Sequence, residues 1–230
     1  MTNFVLVAGA WLGAWAWEEV AAELRAAGLG VRALTLSGLA ERHGVPAGQQ
    51  THVRDIVDEI ERLDLRDVVL VGHSYSGVPV GQAAERIGDR LRRVVYVDAN
   101  AAVDGEAFLS GPWSDQVRQM IEDNGGFWPP LPEEFTGQGL TDEQIGRVAE
   151  RLTPHPGASL TEPAVMTRQL GELPGTYIKC LLDGEEPWGA AADLLKSERW
   201  ELVTMDTGHW PMFSQPRELA RILREPALHP

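Results

Sequence analysis

Cysteine is nearly absent from this sequence of 230 residues, which contains only Cys180. A lone cysteine cannot pair within the chain, so a fold held together by internal disulfide bonds is excluded. Cys180 lies in the apolar segment YIKCLLD, which is typical of a buried strand. We therefore expect its thiol to be a small core side chain rather than a catalytic group.

Positive charge is also scarce. Lysine occurs only at Lys179 and Lys196, and 20 basic residues stand against 34 acidic ones, which gives a formal net charge of −14. An acidic surface repels phosphate backbones and anionic lipid headgroups. The acidic net charge therefore predicts that the protein binds neither nucleic acid nor a membrane.

Long apolar runs are missing as well. No run approaches the roughly 18 residues that a membrane-spanning helix needs. The first segment, MTNFVLVAGAW, lacks the basic start and the unbroken apolar stretch of a signal peptide. We therefore expect a cytoplasmic protein, and a chain of this length with 43% hydrophobic residues is long enough to bury one large core.

Short apolar runs alternate with segments of helical periodicity along most of the chain. Strands are predicted at residues 4–7, 31–36, 67–71, 91–97, 176–182 and 200–205. Helices are predicted at residues 17–27, 52–65, 78–87, 115–122, 142–152, 191–196 and 216–223. This alternation predicts an α/β fold with a mainly parallel sheet flanked by helices on both faces.

The alternation stops between residues 100 and 172, where Pro-rich pieces and two of the predicted helices replace the strands. We expect residues 1–99 and 173–230 to form the core, and residues 100–172 to form a lid inserted after the fourth strand. Such an insertion would lie over the C-terminal edge of the sheet, where open parallel sheets bind ligands.

The segment GHSYSG at residues 72–77 directly follows the third predicted strand and precedes a helix. In a nucleophile elbow, a serine occupies a sharp strand-to-helix turn, and the flanking glycines let the chain pass close to its neighbours. This context predicts an α/β-hydrolase fold with Ser74 as the nucleophile. We expect the developing oxyanion to be bound by the backbone N–H of Tyr75 and by one near Gly9 and Ala10.

A serine nucleophile needs a base, because its hydroxyl is weakly nucleophilic at its ordinary acidity. His209 follows the last predicted strand, so its ring should emerge at the same edge of the sheet as Ser74, and it is the predicted base. His73 lies inside the elbow and is expected to hydrogen-bond locally. The other histidines lie in a polar loop, at the start of a surface helix, between prolines or in the terminal tail: His43, His52, His155 and His229.

The third group of such a triad is an acid that precedes the histidine in the chain. Asp183 ends the strand before that of His209 and is the preferred candidate. Asp98 also stands at the C-terminal end of a strand and remains the alternative. If it is not the acid, we expect Asp98 to anchor the first loop of the lid.

Four segments resemble the plant methylesterase and hydroxynitrile lyase group of α/β-hydrolases and its bacterial carboxylesterase relatives: FVLVAGAWLGAWAW, GHSYSG, YIKCLLD and TGHWPMFSQP. The resemblance runs from residue 4 to about residue 223 and is weakest in the predicted lid. It implies a core without the first two strands of the full fold, covered by a helical lid. It also implies a triad of Ser74, Asp183 and His209, with oxyanion donors at Ala10 and Tyr75.

The sequence departs from this group at several positions. Two histidines that the group usually carries, after the first strand and ahead of the GAW segment, are replaced by Ala8 and Leu12. Their loss removes polar groups beneath the oxyanion loop. The lyase branch carries a lysine soon after the catalytic histidine, whereas the segment WPMF follows His209, so cyanohydrin cleavage is not expected.

The leading hypothesis is hydrolysis of a carboxylic ester, such as a methyl or aryl ester of a small apolar acid, through an acyl-enzyme. We expect a small-molecule substrate, no cofactor and no metal, and we leave a homodimer open. The aromatic side chains predicted to line the substrate pocket are Trp11, Trp113, Trp128 and Trp210. Two alternatives stay open: non-hydrolytic lyase or cyclase chemistry on the same fold, and a catalytically silent ligand-binding protein.

Overall fold

The computed structural model describes residues 2–168 and 170–228. Met1, Gln169, Pro230 and the tail residue His229 lie outside the described residues. The strands in the described part of the chain are β1 Asn3–Val7, β2 Gly30–Leu34, β3 Val68–His73, β4 Leu91–Val97, β5 Phe127–Trp128, β6 His155–Pro156, β7 Gly175–Cys180 and β8 Trp200–Met205.

One parallel sheet of six strands organises the molecule, in the order β2-β1-β3-β4-β7-β8. These strands correspond to the six predicted ones, with ends that differ by at most two residues. β5 and β6 pair antiparallel as a separate ribbon that the sequence did not predict. Strands of two residues are too short to show any periodicity.

The helices confirm the predicted α/β architecture. They are α1 Glu18–Ala26, α2 Gln49–Arg62, α3 Gly77–Arg86, α4 Ser114–Asp123, α5 Asp142–Ala149, α6 Gly157–Thr161, α7 Ala191–Leu194, α8 Pro211–Ser214 and α9 Pro216–Leu228. The short helices α6 and α8 were not predicted. None of the described helices combines the length and the apolar character needed to cross a bilayer.

The sheet separates two apolar layers. In β1, Val5 and Val7 pack into the layer that includes α2 and α3, whereas Phe4 and Leu6 pack into the layer that includes α1 and α9. Every residue of β3 is buried. Strands covered on both faces have to be apolar throughout, which is why these segments appear in the sequence as unbroken apolar runs.

The chain between β4 and β7 contains α4, β5, α5, β6 and α6 and adds no strand to the parallel sheet. This is the insertion expected after the fourth strand. Its boundaries at residues 100 and 172 stay a prediction. Cys180, at the end of β7, is fully buried, as expected for a core thiol.

Gly77 begins α3 directly beneath the loop that follows β4. A Cβ atom added at Gly77 would overlap the carbonyl oxygen of Asn100 and lie 2.9 Å from the Cβ of Ala99. The helix and the loop can therefore approach each other only because residue 77 has no side chain.

Gly77→Ala should destabilise the fold by about 1–3 kcal/mol, because the new methyl group forces the two backbones apart. Gly146→Ala is the matched control, since Gly146 lies within α5 and an added Cβ meets nothing within 4 Å. The control should gain roughly 0.5–1 kcal/mol from the higher helix propensity of alanine. Chemical denaturation measures both changes, and equal stability of the two variants would contradict the packing described at Gly77.

Candidate active site

Neighbouring strands carry the side chains that the sequence singled out. Ser74 follows β3, Asp98 follows β4, Asp183 ends the helical turn after β7, and His209 lies in the loop after β8. Because these strands are adjacent and parallel, their C-terminal ends meet at one edge of the sheet. Ser74, Asp183 and His209 line one cavity at this edge.

Ser74 occupies a strained turn. Its backbone φ is 54°, in the left-handed region that non-glycine residues rarely adopt. The hydroxyl oxygen of Ser76 accepts a hydrogen bond from the N–H of His73 at 2.8 Å and lies 2.8 Å from the carbonyl oxygen of Val7. These contacts tie the turn to the end of β1 and hold Ser74 at the cavity.

The loop after β1 lies directly against this turn. A Cβ atom at Gly9 would lie 2.8 Å from the Cβ of Ser74 and 2.9 Å from Nδ1 of His73, so only glycine fits. The next two residues, Ala10 and Trp11, line the cavity, and Trp11 has a left-handed φ of 65°. The segment that carries Ala10 therefore meets the segment that carries Tyr75 next to Ser74.

His209 faces two carboxylates. Its Nδ1 atom lies 2.7 Å from Oδ2 of Asp98 and 3.1 Å from Oδ2 of Asp183. The backbone of His209 is also fixed, because its N–H donates to Oε1 of Gln138 and its carbonyl accepts from Nε2 of His73, each at 2.8 Å. The preferred acid and its alternative thus meet at the same ring nitrogen.

Asp98 is held by a buried cation. Nζ of Lys179 lies 2.6 Å from Oδ1 of Asp98, and both side chains are 0% exposed. The same ammonium donates to the backbone carbonyl of Asp183 at 3.0 Å. A paired carboxylate can stay ionised in an apolar interior where an isolated one could not. Asp183 differs in that 21% of its side chain is exposed.

The two carboxylates set the protonation of the ring. Burial is the largest influence on His209 and by itself would lower the pKa, but the hydrogen bonds and charges of Asp183 and Asp98 raise it from 6.5 to about 9. Burial also opposes ionisation of Asp183, yet the hydrogen bond to His209 keeps the pKa of Asp183 below its ordinary value. Near neutral pH the site therefore contains an imidazolium beside ionised Asp183.

The same three side chains are the described groups best placed to converge on a metal ion. One ligand atom from each of Asp98, Asp183 and His209 lies within 4.8 Å of the others. However, the imidazole and the carboxylates already bond one another, and the ammonium of Lys179 stands beside Asp98 where a cation would be expected. This donor set is suited to orienting an imidazole.

A cavity of about 400 Å³ opens at Ser74 and His209. Apolar and aromatic side chains dominate its lining, which includes the four predicted tryptophans: Trp11, Trp113, Trp128 and Trp210. Two further aromatic residues, Phe108 and Trp188, also line it and were not predicted. They lie outside any segment with a periodic pattern, so the sequence carried no signal for them.

Some buried polar residues were interpreted wrongly or missed. His52, placed by the sequence at the start of a surface helix, is fully buried, and so is His155. Lys179 received no role, although a lysine within an apolar strand was an available signal for a buried ion pair. The prediction that His73 hydrogen-bonds locally is wrong, because its Nε2 donates to the carbonyl of His209, 136 positions along the chain. Burial lowers the pKa of His73 to about 3.

Sequence comparison identifies related hydrolases. The family model for the alpha/beta hydrolase family matches residues 4–222. A carbendazim hydrolyzing esterase from Nocardioides sp. is 32% identical, with 97% of this chain and 98% of the relative covered. A methyl jasmonate esterase from Vitis vinifera is 27% identical, with 97% and 95% covered.

Solved structures have the same fold. An extracellular alpha/beta-hydrolase from a Paenibacillus species matches with a TM-score of 0.86 and 21% identity, covering 98% of both chains. A methylesterase from Arabidopsis matches with a TM-score of 0.74 and 22% identity, covering 97% of both chains. The resemblance to plant methylesterases and bacterial carboxylesterases is confirmed. The chain belongs to the alpha/beta hydrolase family.

Proposed function

We propose that this protein hydrolyses carboxylic esters of small apolar acids through an acyl-enzyme at Ser74. One observation carries the proposal. Ser74, on its strained turn, lines the same cavity as His209. The carboxylates of Asp98 and Asp183 both contact Nδ1 of the His209 ring. The relatives that are named as esterases support the same chemistry.

In the first half of the reaction, Oγ of Ser74 bonds to the ester carbonyl carbon while its proton passes to Nε2 of His209. The carbonyl electron pair moves onto oxygen, and the backbone N–H groups of Ala10 and Tyr75 bind the resulting oxyanion. Collapse of this intermediate breaks the bond to the leaving oxygen, which takes the proton from His209. An alcohol leaves and an acyl-serine remains.

In the second half, water attacks the acyl-serine and gives one proton to His209. The second tetrahedral intermediate expels Oγ of Ser74, which recovers that proton, and the carboxylic acid leaves. The enzyme returns to its starting state with one ester and one water consumed. No step needs a cofactor or a metal.

We assign complementary parts to the two acids. Asp98 lies closer to Nδ1, is fully buried and is paired with Lys179, so it holds the ring in one orientation and one tautomer. Asp183 lines the cavity and adds a second negative charge that stabilises the imidazolium formed when Ser74 gives up its proton.

The lining of the cavity favours an uncharged acyl group. Among the described residues that form it, none is a lysine or an arginine, and Glu134 and Asp183 are its acids. A carboxylate on the acyl part of the substrate would therefore meet these two acids with no lysine or arginine to pair with it. The ring centroids of Trp11 and Trp128 are 4.2 Å apart, and together they offer an aromatic surface to an apolar acyl part.

Ser74→Ala should reduce turnover of p-nitrophenyl and methyl esters to below about a thousandth of the wild-type rate, because the nucleophile is lost. A fluorophosphonate should label the wild-type protein and leave Ser74→Ala unlabelled. Ser110→Ala, at an exposed serine after β4, is the matched control and should react as the wild type does.

Residual turnover in Ser74→Ala within about tenfold of wild type would refute the nucleophile. Labelling of Ser74 without turnover of any ester in the panel would contradict the hydrolase. It would favour a ligand-binding protein or non-hydrolytic chemistry on the same fold.

The value of kcat/KM should rise with pH through a single ionisation with its midpoint at about 9. Below that pH the ring of His209 in the free enzyme is protonated and cannot accept the proton of Ser74. Above it the ring is neutral and active. Steady-state rates between neutral and alkaline pH measure the midpoint, and a value near the ordinary 6.5 would mean that the carboxylates do not act on this ring.

Asp98→Asn and Asp183→Asn should each lower both the plateau rate and the midpoint of this profile, because each removes one negative charge beside His209. The double variant should approach the roughly 10⁴-fold loss of a triad without its acid, and each single variant should lose less. A wild-type rate in either single variant would assign the acid to the other residue alone.

The two acid variants should differ in stability. Asp98→Asn leaves Lys179 buried without a carboxylate, which typically costs about 3–5 kcal/mol. Asp183→Asn affects a partly exposed group and should cost less. Denaturation curves of the two variants test this difference.

A further inference from the structure

A segment of the insertion binds both backbone polar groups of Trp11. The N–H of Thr153 donates to the carbonyl oxygen of Trp11 at 3.0 Å. The N–H of Trp11 donates to Nδ1 of His155 at 3.4 Å. Trp11 follows Ala10 and has a left-handed φ of 65°, a conformation that persists only where the surroundings hold it.

The acceptor role of His155 follows from its other contact. Nε2 of His155 lies 2.9 Å from the hydroxyl oxygen of Ser159, and that hydroxyl donates to the carbonyl of Pro156 at 2.7 Å. A hydroxyl that has given its hydrogen to a carbonyl can only accept from the ring, so Nε2 carries the proton and Nδ1 is free to accept. Complete burial lowers the pKa of His155 well below its usual value and keeps the ring neutral.

The same ring contacts the residue that follows the nucleophile. The ring centroids of His155 and Tyr75 are 4.6 Å apart. The Tyr75 hydroxyl lies 2.8 Å from Nδ1 of His52, and Nε2 of His52 donates to the carbonyl of Ser37 at 2.8 Å. His155 therefore touches both segments that carry the proposed oxyanion donors.

This part of the insertion is anchored to the core. Nε2 of Gln49 donates to the carbonyl of Ser159 at 3.4 Å, and Nε2 of Gln82 donates to Oε1 of Gln49 at 2.8 Å. The N–H of Val165 donates to Oε1 of Gln82 at 2.9 Å. Because α2 and α3 supply these buried glutamines, the segment around His155 is a fixed part of the site.

We propose that His155 is a positioning residue for the oxyanion hole. By accepting the N–H of Trp11, it holds the left-handed peptide after Ala10 and so aims the Ala10 donor at the carbonyl oxygen of the substrate. The inference rests on the proposed acyl transfer at Ser74. If His155 only filled the core, its replacement could alter the stability of the fold but would leave binding of the transition state unchanged.

Two substitutions at His155 separate these roles. His155→Leu keeps a similar volume and removes the acceptor, whereas His155→Asn places an amide oxygen near the position of Nδ1. Thr161→Ala is the matched control, because the Thr161 hydroxyl donates to backbone carbonyls of the same short helix, at Gly157 and Ala158.

His155→Leu should lower kcat by about ten- to a hundredfold, which is less than the ~10²–10³ lost when an oxyanion donor is removed outright. KM for p-nitrophenyl butyrate should stay within about threefold, because the lost interaction acts in the transition state. His155→Asn should recover most of the rate, and Thr161→Ala should match the wild type.

Binding of 2,2,2-trifluoroacetophenone supplies a second readout. Ser74 adds to this ketone to form a tetrahedral oxyanion, whereas acetophenone has the same shape and binds without adding. In His155→Leu the inhibition constant for the trifluoroketone should rise in proportion to the loss in kcat/KM, and that for acetophenone should not change. If His155→Leu does not fold, Ser159→Ala, which removes the hydroxyl that orients the ring, replaces it in this comparison, and His155→Asn remains the variant that keeps an acceptor.

An unchanged kcat in His155→Leu, or in Ser159→Ala where that variant replaces it, or equal weakening of both ketones, would overturn the positioning role. Failure of the wild-type protein to turn over esters or to react at Ser74 would instead contradict the proposed function. The two failures are therefore distinguishable.

Discussion

Two carboxylates converge on one nitrogen of His209, and the rest of the site depends on how this negative charge is held. Burying a carboxylate in an apolar interior is costly unless a hydrogen-bonded cation lies beside it. Lys179 supplies this cation, 2.6 Å from Asp98 and itself fully buried. Because Asp98 follows β4 and Lys179 lies in β7, the pairing of these strands creates the arrangement.

The insertion between β4 and β7 contributes contacts to the active site that the sheet does not provide. The sequence predicted a loss of polar groups beneath the oxyanion loop, since Ala8 and Leu12 replace the usual histidines, and both side chains are buried in the apolar core. Hydrogen bonds to this loop come from the insertion instead, at Thr153 and His155. The sheet therefore positions Ser74 and His209, while the insertion contacts the loop of Ala10 and provides much of the aromatic lining of the cavity.

The parts of the fold and site that could be predicted are those with local signals. Ser74 stands directly after the fully buried strand β3, and His209 lies in the loop that follows β8. The sequence could not decide between Asp98 and Asp183 as the acid, because both follow predicted strands. The insertion separates β4 from β7 in the sequence, so their pairing in the sheet has no local signal. The bond between Lys179 and Asp98 joins residues 81 positions apart, so the lysine within an apolar strand could signal a buried ion pair but not identify its partner. Likewise, the prolines around His155 indicate a loop and not its burial.

The account depends on a covalent intermediate at Ser74. Rapid acid quenching during turnover of p-nitrophenyl acetate, followed by peptide mass spectrometry, measures it directly. One acetyl group should appear on the peptide that contains Ser74 within the first turnover and should disappear as the substrate is exhausted. Turnover without an acylated peptide, or with the acetyl group on a different residue, would contradict the account.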